Sequence, residues 1–204
     1  MCYSLKASIG AFIFNLSICL ILYNRNKGND TVISIILFGV GLIQFSEIFM
    51  HLDTNCHSRI NIFGSKLGYI ILIFLQPFFS ILSTIYLTKQ IFNKKVIFHI
   101  GVWFIFICYN ISNHWPKKLC SKSELCKDNI CKLDWEWYST SIPHNILYSL
   151  VIFGIPIMYL KKNNLIWIFY LIISALAIWK SKYFATLWCF WAPSIALALQ
   201  YYLK

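Results

Sequence analysis

Charge is scarce in this chain of 204 residues: Asp, Glu, Lys and Arg make up 12% of it, and only seven residues are acidic. A polar shell for a solvated globular domain cannot be built from that supply, and no folded soluble surface remains to carry a nucleic-acid footprint. Specific motifs are missing too. There is no Gly-rich phosphate loop, no potassium-filter sequence and no Ser-His-Asp spacing, so the usual signatures of nucleotide binding, potassium selectivity and serine hydrolysis are absent. No internal repeat of the inverted-repeat transporter kind is visible. Glycine is sparse, at eight residues.

What the chain has in abundance is apolar surface. Hydrophobic residues make up 59% and aromatics 18%, with a mean hydropathy of +0.65. One soluble core of this size cannot hide that much, so the expected partner is the lipid bilayer. The eight Trp and twelve Tyr lie largely near the ends of apolar runs, where such rings keep a polar tip at the headgroups.

Apolar runs fall at about 5 to 23, 32 to 52, 67 to 87, 96 to 111, 142 to 160, 164 to 179 and 184 to 203. A crossing helix needs about 20 residues. The expected fold is therefore all-α, a single polytopic bundle of seven transmembrane helices over residues 1–204. Six is the fallback, because runs four and six are short. Lys94 and Lys95 before run four, and Lys161 and Lys162 before run six, read as snorkelling anchors. The first run is followed, not preceded, by its positive charges Arg25 and Lys27 and lacks a small-residue cleavage site, so it reads as a retained helix. In "SIPHN", Ser141 is a candidate N-cap with Pro143 in the first turn. Pro77, Pro156 and Pro193 fall inside runs and are expected to bend them.

With seven helices, one face carries Arg25, Lys27, Lys89, Lys94, Lys95, Lys161, Lys162 and Lys204. Outside the long loop, the opposite face has Lys6, Arg59, Lys66, Lys180 and Lys182. The positive-inside rule makes the first face cytoplasmic and the N-terminus non-cytoplasmic. The net charge of +11 consists mostly of these anchors.

Cysteine placement agrees with that orientation. Cys56 lies in the loop between runs two and three, and Cys120, Cys126 and Cys131 lie in the Cys-rich loop 112–141, all on the non-cytoplasmic side. Four loop cysteines in an oxidising compartment read as two disulfides of undetermined pairing. The alternative is zinc held by His114, Cys120, Cys126 and Cys131, although the Cys-x-x-Cys knuckle usual at structural zinc is missing. Cys19 and Cys108 fall within runs and read as small apolar residues.

Polar residues are costly in lipid, so they mark the inward faces of helices. They form stripes of Ser4, Ser8, Ala11 and Asn15 in run one, Gln44, Glu47 and His51 in run two, Tyr69, Gln76, Ser80 and Ser83 in run three, and His99, Trp103 and Asn110 in run four. Most such groups act as interhelical hydrogen-bond glue, worth about 0.6 kcal/mol each. Glu47 stands apart as the sole acid within any run, with His51 one turn on. Either the two satisfy each other or face the headgroups, or they belong to a site. On the second reading Cys2, His144 and Cys189 reach the same membrane level from runs one, five and seven. Glu47 and His51 are then the catalytic candidates, and Cys2, His51, His144 and Cys189 are ligands for a transition metal such as zinc. Ser4, Ser8, Asn15, Gln44, Gln76 and Trp188 are expected to line the pocket.

The N-terminal "MCYSLKAS", the C-terminal "SKYFATLWCFW" and the internal "LIQFSEIFMHLD" resemble an uncharacterised multi-pass membrane family. Its members begin Met-Cys-Phe-Ser-x-x-Ala-Ser and carry a Trp-Cys-Phe motif in the last helix. The resemblance implies that Cys2, Ser4, Glu47, Trp188 and Cys189 belong to the family's pattern, while His51 departs from it. It implies no reaction. A retinal protein is excluded, because residues 184 to 203 contain no Lys for a Schiff base. Seven-helix zinc hydrolases of lipid amides are similar in span count and in an early acid and His, but this chain lacks their His-x-x-x-His pair in the last helix.

Three functions remain open. The first is a membrane-embedded enzyme acting on a lipid or small amphiphile at the non-cytoplasmic interface. The second is a proton- or cation-coupled transporter using Glu47 and His51, with Gln76, Ser80 and Asn110 along the path. The third is a structural or partner-binding membrane protein. Oligomeric state is not legible.

Overall fold

The computed structural model describes residues 4–114, 119–123, 133–135 and 141–159. The first five apolar runs fall within these residues, and the runs at 164–179 and 184–203 lie outside them. The described chain is a helical bundle closed at one end by a small cap. Four of its helical stretches are long and apolar enough to cross a membrane: Leu5–Arg25, Asp30–Leu52, Arg59–Thr88 and Lys94–Ser112.

Helix α1 (Leu5–Arg25) starts at Ser4, whose hydroxyl accepts from the Ala7 N–H at 3.2 Å, and stops at Asn26 in the left-handed conformation. Residues 26–29 then reverse the chain. Arg25 grips Asp30 through two parallel N–H donors at 2.6 and 2.8 Å, and Thr31 donates to the Asn26 side chain at 2.6 Å. Helix α2 (Asp30–Leu52) is the centre of the bundle, packing on α1 and on the long rod described next. Its most apolar stretch is 61% buried, against 28% for α1. Two side chains fix the α1–α2 register: Ser34 donates to the Cys19 carbonyl and Asn15 to the Leu37 carbonyl, each at 2.8 Å. Gly41 makes room, since a Cβ there would stand 1.8 Å from Asn15 Nδ2.

The third run extends further than its apolar residues suggest. Helix α3 (Arg59–Ile70), a π-helical turn (Ile71–Leu75) and α4 (Gln76–Thr88) form one continuous rod, two turns longer at its start than the expected 67 to 87. The polar residues responsible have clear roles. Ser58 caps the helix by accepting from the Asn61 N–H at 3.1 Å, and Asn61 and Ser65 are buried beneath the cap rather than exposed in a loop. Helix α5 (Lys94–His114) is also longer than its run, which removes the reason for doubting it as a crossing element. The fifth run comprises α6 (Ile142–Ser149), a second π-helical turn (Leu150–Gly154) and α7 (Ile155–Met158). Ser141 occupies the N-cap position with Pro143 in the first turn, but its hydroxyl meets Tyr109 Oη at 3.2 Å instead of capping.

Both π-turns have one cause. A proline at position i leaves the carbonyl of i−4 without its helical donor, and each turn ends two residues before such a proline, Pro77 or Pro156, and contains that carbonyl, Ile73 or Ile152. The freed carbonyls are taken up from neighbouring helices. Trp103 Nε1 donates to the Ile73 carbonyl at 2.9 Å. Ser80 Oγ lies 2.9 Å from the Ile152 carbonyl and 2.8 Å from that of Val151, and His99 Nε2 lies 2.7 Å from the Val151 carbonyl. Because a carbonyl only accepts, the His99 ring carries its hydrogen on Nε2. Nδ1 then accepts from Thr84 Oγ1 at 3.0 Å. Pro193 lies outside the described residues.

The cap is a short antiparallel ribbon of β1 (Ser121–Ser123) and β2 (Leu133–Trp135), with Ser121 opposite Trp135. It is the one departure from helix among the regular elements of the described residues. Cys56 and Cys120 are joined in a disulfide with Cα atoms 5.1 Å apart, an ordinary separation for a bridge. The Asn61 side chain imitates a neighbouring strand: its amide donates to the Ser121 carbonyl at 2.8 Å and its oxygen accepts from the Ser121 N–H at 3.0 Å.

Candidate functional site

The candidate site lies at the capped end of α2. Gln44, Glu47 and His51 recur at helical spacing on one face, and Gln44 and Glu47 are completely buried while His51 is half-buried. Glu47 has 0% of its surface exposed, so its carboxyl is enclosed by protein and does not reach out to the headgroups. Neighbouring helices approach α2 closely along the same turns. On one side Phe12 and Phe45 meet at 5.5 Å between ring centres. On the other, Gly64 lets α3 in: a Cβ there would lie 2.9 Å from Phe49 Cβ and 3.0 Å from the Met50 backbone nitrogen. Phe45, Phe49 and Phe63 form an edge-to-face row at 5.2 Å spacing.

The antiparallel register carries the polar face of α1 to the same level. Asn15 sits beside Leu37 and Gly41, and Phe12 beside Phe45, so Ser8 lies level with the Gln44–Glu47 turn. Ser8 is fully buried and its hydroxyl has no hydrogen-bond partner among the described residues, as is also true of Asn15 Oδ1. Ser4 is exposed and serves as the α1 cap, so the pocket-lining role expected of it is not what its hydroxyl does here.

Gln76 ties three helices together. Its Oε1 accepts from Tyr148 Oη at 2.6 Å and its Nε2 donates to the Val40 carbonyl at 3.4 Å. His144 lies one turn nearer the cap than Tyr148 on the same helix. It is buried, with its ring parallel to that of Tyr148 at 6.4 Å and 5.4 Å from that of Phe106.

Glu47 and His51 lie in the half of α2 nearer the cap, and His144 lies in the first turn of α6. Among the described residues no group of three His, Cys, Asp or Glu stands close enough to hold a metal ion. The remaining expected ligands, Cys2 and Cys189, lie outside the described residues, as do Trp188, Cys126 and Cys131. Cys19 is buried in the bundle and Cys108 is exposed on its surface.

Three further polar groups are committed to direct protein bonds. Gln76 holds Val40 and Tyr148, Ser80 holds the proline-freed carbonyls, and Asn110 Nδ2 donates to the Phe106 carbonyl at 2.7 Å. These are the residues expected to line a transport path. Sequence reasoning missed the Asn61–Ser121 pairing and the carbonyl-holding roles of Trp103 and His99. The available signal was the two prolines within apolar runs, each of which requires a donor from a neighbouring helix. No family model, curated protein or solved structure matches the chain.

Proposed function

We propose that this chain is an integral multi-pass membrane protein of seven helices with its N-terminus outside the cytoplasm. We infer that it acts as a membrane-embedded enzyme on a lipid or small amphiphile at the non-cytoplasmic interface. The observation that carries the proposal is the complete burial of Glu47 in the central helix of an apolar bundle. A carboxylate at membrane depth costs several kcal/mol where leucine would cost none, and such residues are retained for chemistry. The Cys56–Cys120 bridge supports an oxidising location for that end.

In this reading Glu47 is the general base or a ligand, His51 and His144 supply imidazole, and Cys2 and Cys189 supply thiolate. A transition ion such as zinc, held by Cys2, His51, His144 and Cys189, would polarise a carbonyl or activate water. The commitment of Gln76, Ser80 and Asn110 to protein bonds speaks for chemistry at one membrane level over a path across the bundle.

Metal content tests the proposal. The purified protein is expected to hold about one transition ion per chain, and Glu47→Gln is expected to fold and insert while losing at least about tenfold in metal affinity or activity. Metal-free protein that moves protons into liposomes would replace this reading with transport.

A further inference from the structure

The end of the bundle opposite the cap carries a feature that the Glu47 site does not use. Between α4 and α5 the chain reads Lys89-Gln90-Ile91-Phe92-Asn93-Lys94-Lys95. Phe92 is 89% exposed, the largest exposure among the large apolar side chains described, and Ile91 is 63% exposed. Aromatic and aliphatic residues this bare on a short connector are not packed against the other described residues. Beside them lies an open surface groove of about 380 Å³, lined by Ile85, Tyr86, Lys89, Gln90 and Ile91. That volume falls within the range of small-molecule sites.

The charge around the groove is of one sign. Lys89, Lys94 and Lys95 are exposed, and Lys27 joins them from the α1–α2 connector. The only acid among the described residues at this end, Asp30, is already held by Arg25. Lys95 is fixed over the Tyr159 ring with Nζ 4.5 Å from its centre. The connector itself is firmly shaped. Lys89 turns left-handed and returns its N–H to the Ile85 carbonyl at 2.8 Å, and Asn93 Oδ1 accepts from the Lys95 N–H at 3.0 Å.

We propose that this connector is a binding site for an anionic phospholipid. The lipid phosphate lies against Lys89 and Lys94, its upper acyl chain runs along Ile85, Tyr86 and Ile91, and Phe92 enters the adjoining leaflet. An apolar groove rimmed by cations, with no free acid among the described residues, fits a headgroup of net negative charge. It offers no carboxylate for the quaternary ammonium of a zwitterionic lipid. The inference rests on the helices spanning the bilayer, but not on any role of Glu47.

Native mass spectrometry of the full chain in detergent, titrated with phosphatidylglycerol or phosphatidylcholine, tests it, with an alkaline carbonate wash of membranes run in parallel. The expected result is preferential retention of phosphatidylglycerol, reduced about fivefold per lysine in Lys89→Gln and Lys94→Gln. Ile91→Ser with Phe92→Ser should lower retention of both lipids and leave their ratio unchanged. No preference in the native protein, or a preference that survives both lysine substitutions, overturns the site. Displacement of the lipid by inorganic phosphate at equal concentration also overturns it, by assigning the lysines to the free anion. Protein washed off by carbonate overturns the spanning reading instead, and this proposal with it.

Discussion

Asn15 shows how one residue can fix a helix pair. Its amide reaches the Leu37 carbonyl only because position 41 has no side chain. Gly41→Ala is therefore expected to destabilise the protein by about 1–3 kcal/mol through overpacking. Asn15→Ala should relieve most of that loss, since the nearest remaining side-chain atom of residue 15, its Cβ, stands 3.4 Å from the new methyl. Thermal unfolding of the two single variants and the double variant in detergent checks this, and simple addition of the two losses would refute the contact. At this scale the sequence was half legible. Helical periodicity marks Asn15, Gln44 and Glu47 as inward-facing, because polar side chains avoid lipid. It does not reveal partners: that Asn15 meets the Leu37 carbonyl depends on Gly41 letting the helices together, and a glycine does not announce its neighbour.

Among the elements, the prolines were legible and their consequences were not. Pro77 and Pro156 predict a disturbance, but its form as π-turns and its compensation by Trp103, Ser80 and His99 depend on which helices adjoin. Ser80→Ala should cost about 1–2 kcal/mol by leaving buried carbonyls underbonded. In a Pro156→Ala background the restored N–H can satisfy the Ile152 carbonyl, so the same change should cost less, with a coupling of about 1 kcal/mol. A double-mutant cycle read by denaturation tests this, and zero coupling would contradict the account. The start of α3 was missed for a related reason. Asn61 and Ser65 look like loop residues by composition, yet they are helical because Ser58 caps them and the disulfide-bound strand covers them.

At the scale of the molecule, composition alone points to helices long and apolar enough to cross a membrane, and four such helices are present. The location of the proposed chemistry then depends on sidedness. Glu47, His51 and the Cys56–Cys120 bridge belong to one end of the bundle, and Lys27 and Lys89 to the other. Labelling of intact cells with a membrane-impermeant maleimide tests this most directly, using cysteines introduced at two exposed positions, Arg59→Cys beside the cap and Lys27→Cys in the α1–α2 connector. The account predicts labelling above background at Arg59→Cys alone, labelling of both once the membrane is opened, and no glycan on the Asn29-Asp30-Thr31 sequon. Labelling at Lys27→Cys alone, or a glycan on Asn29, would invert the topology and put the disulfide and the Glu47 site on the reducing side, while equal labelling of both in sealed cells would contradict a spanning bundle.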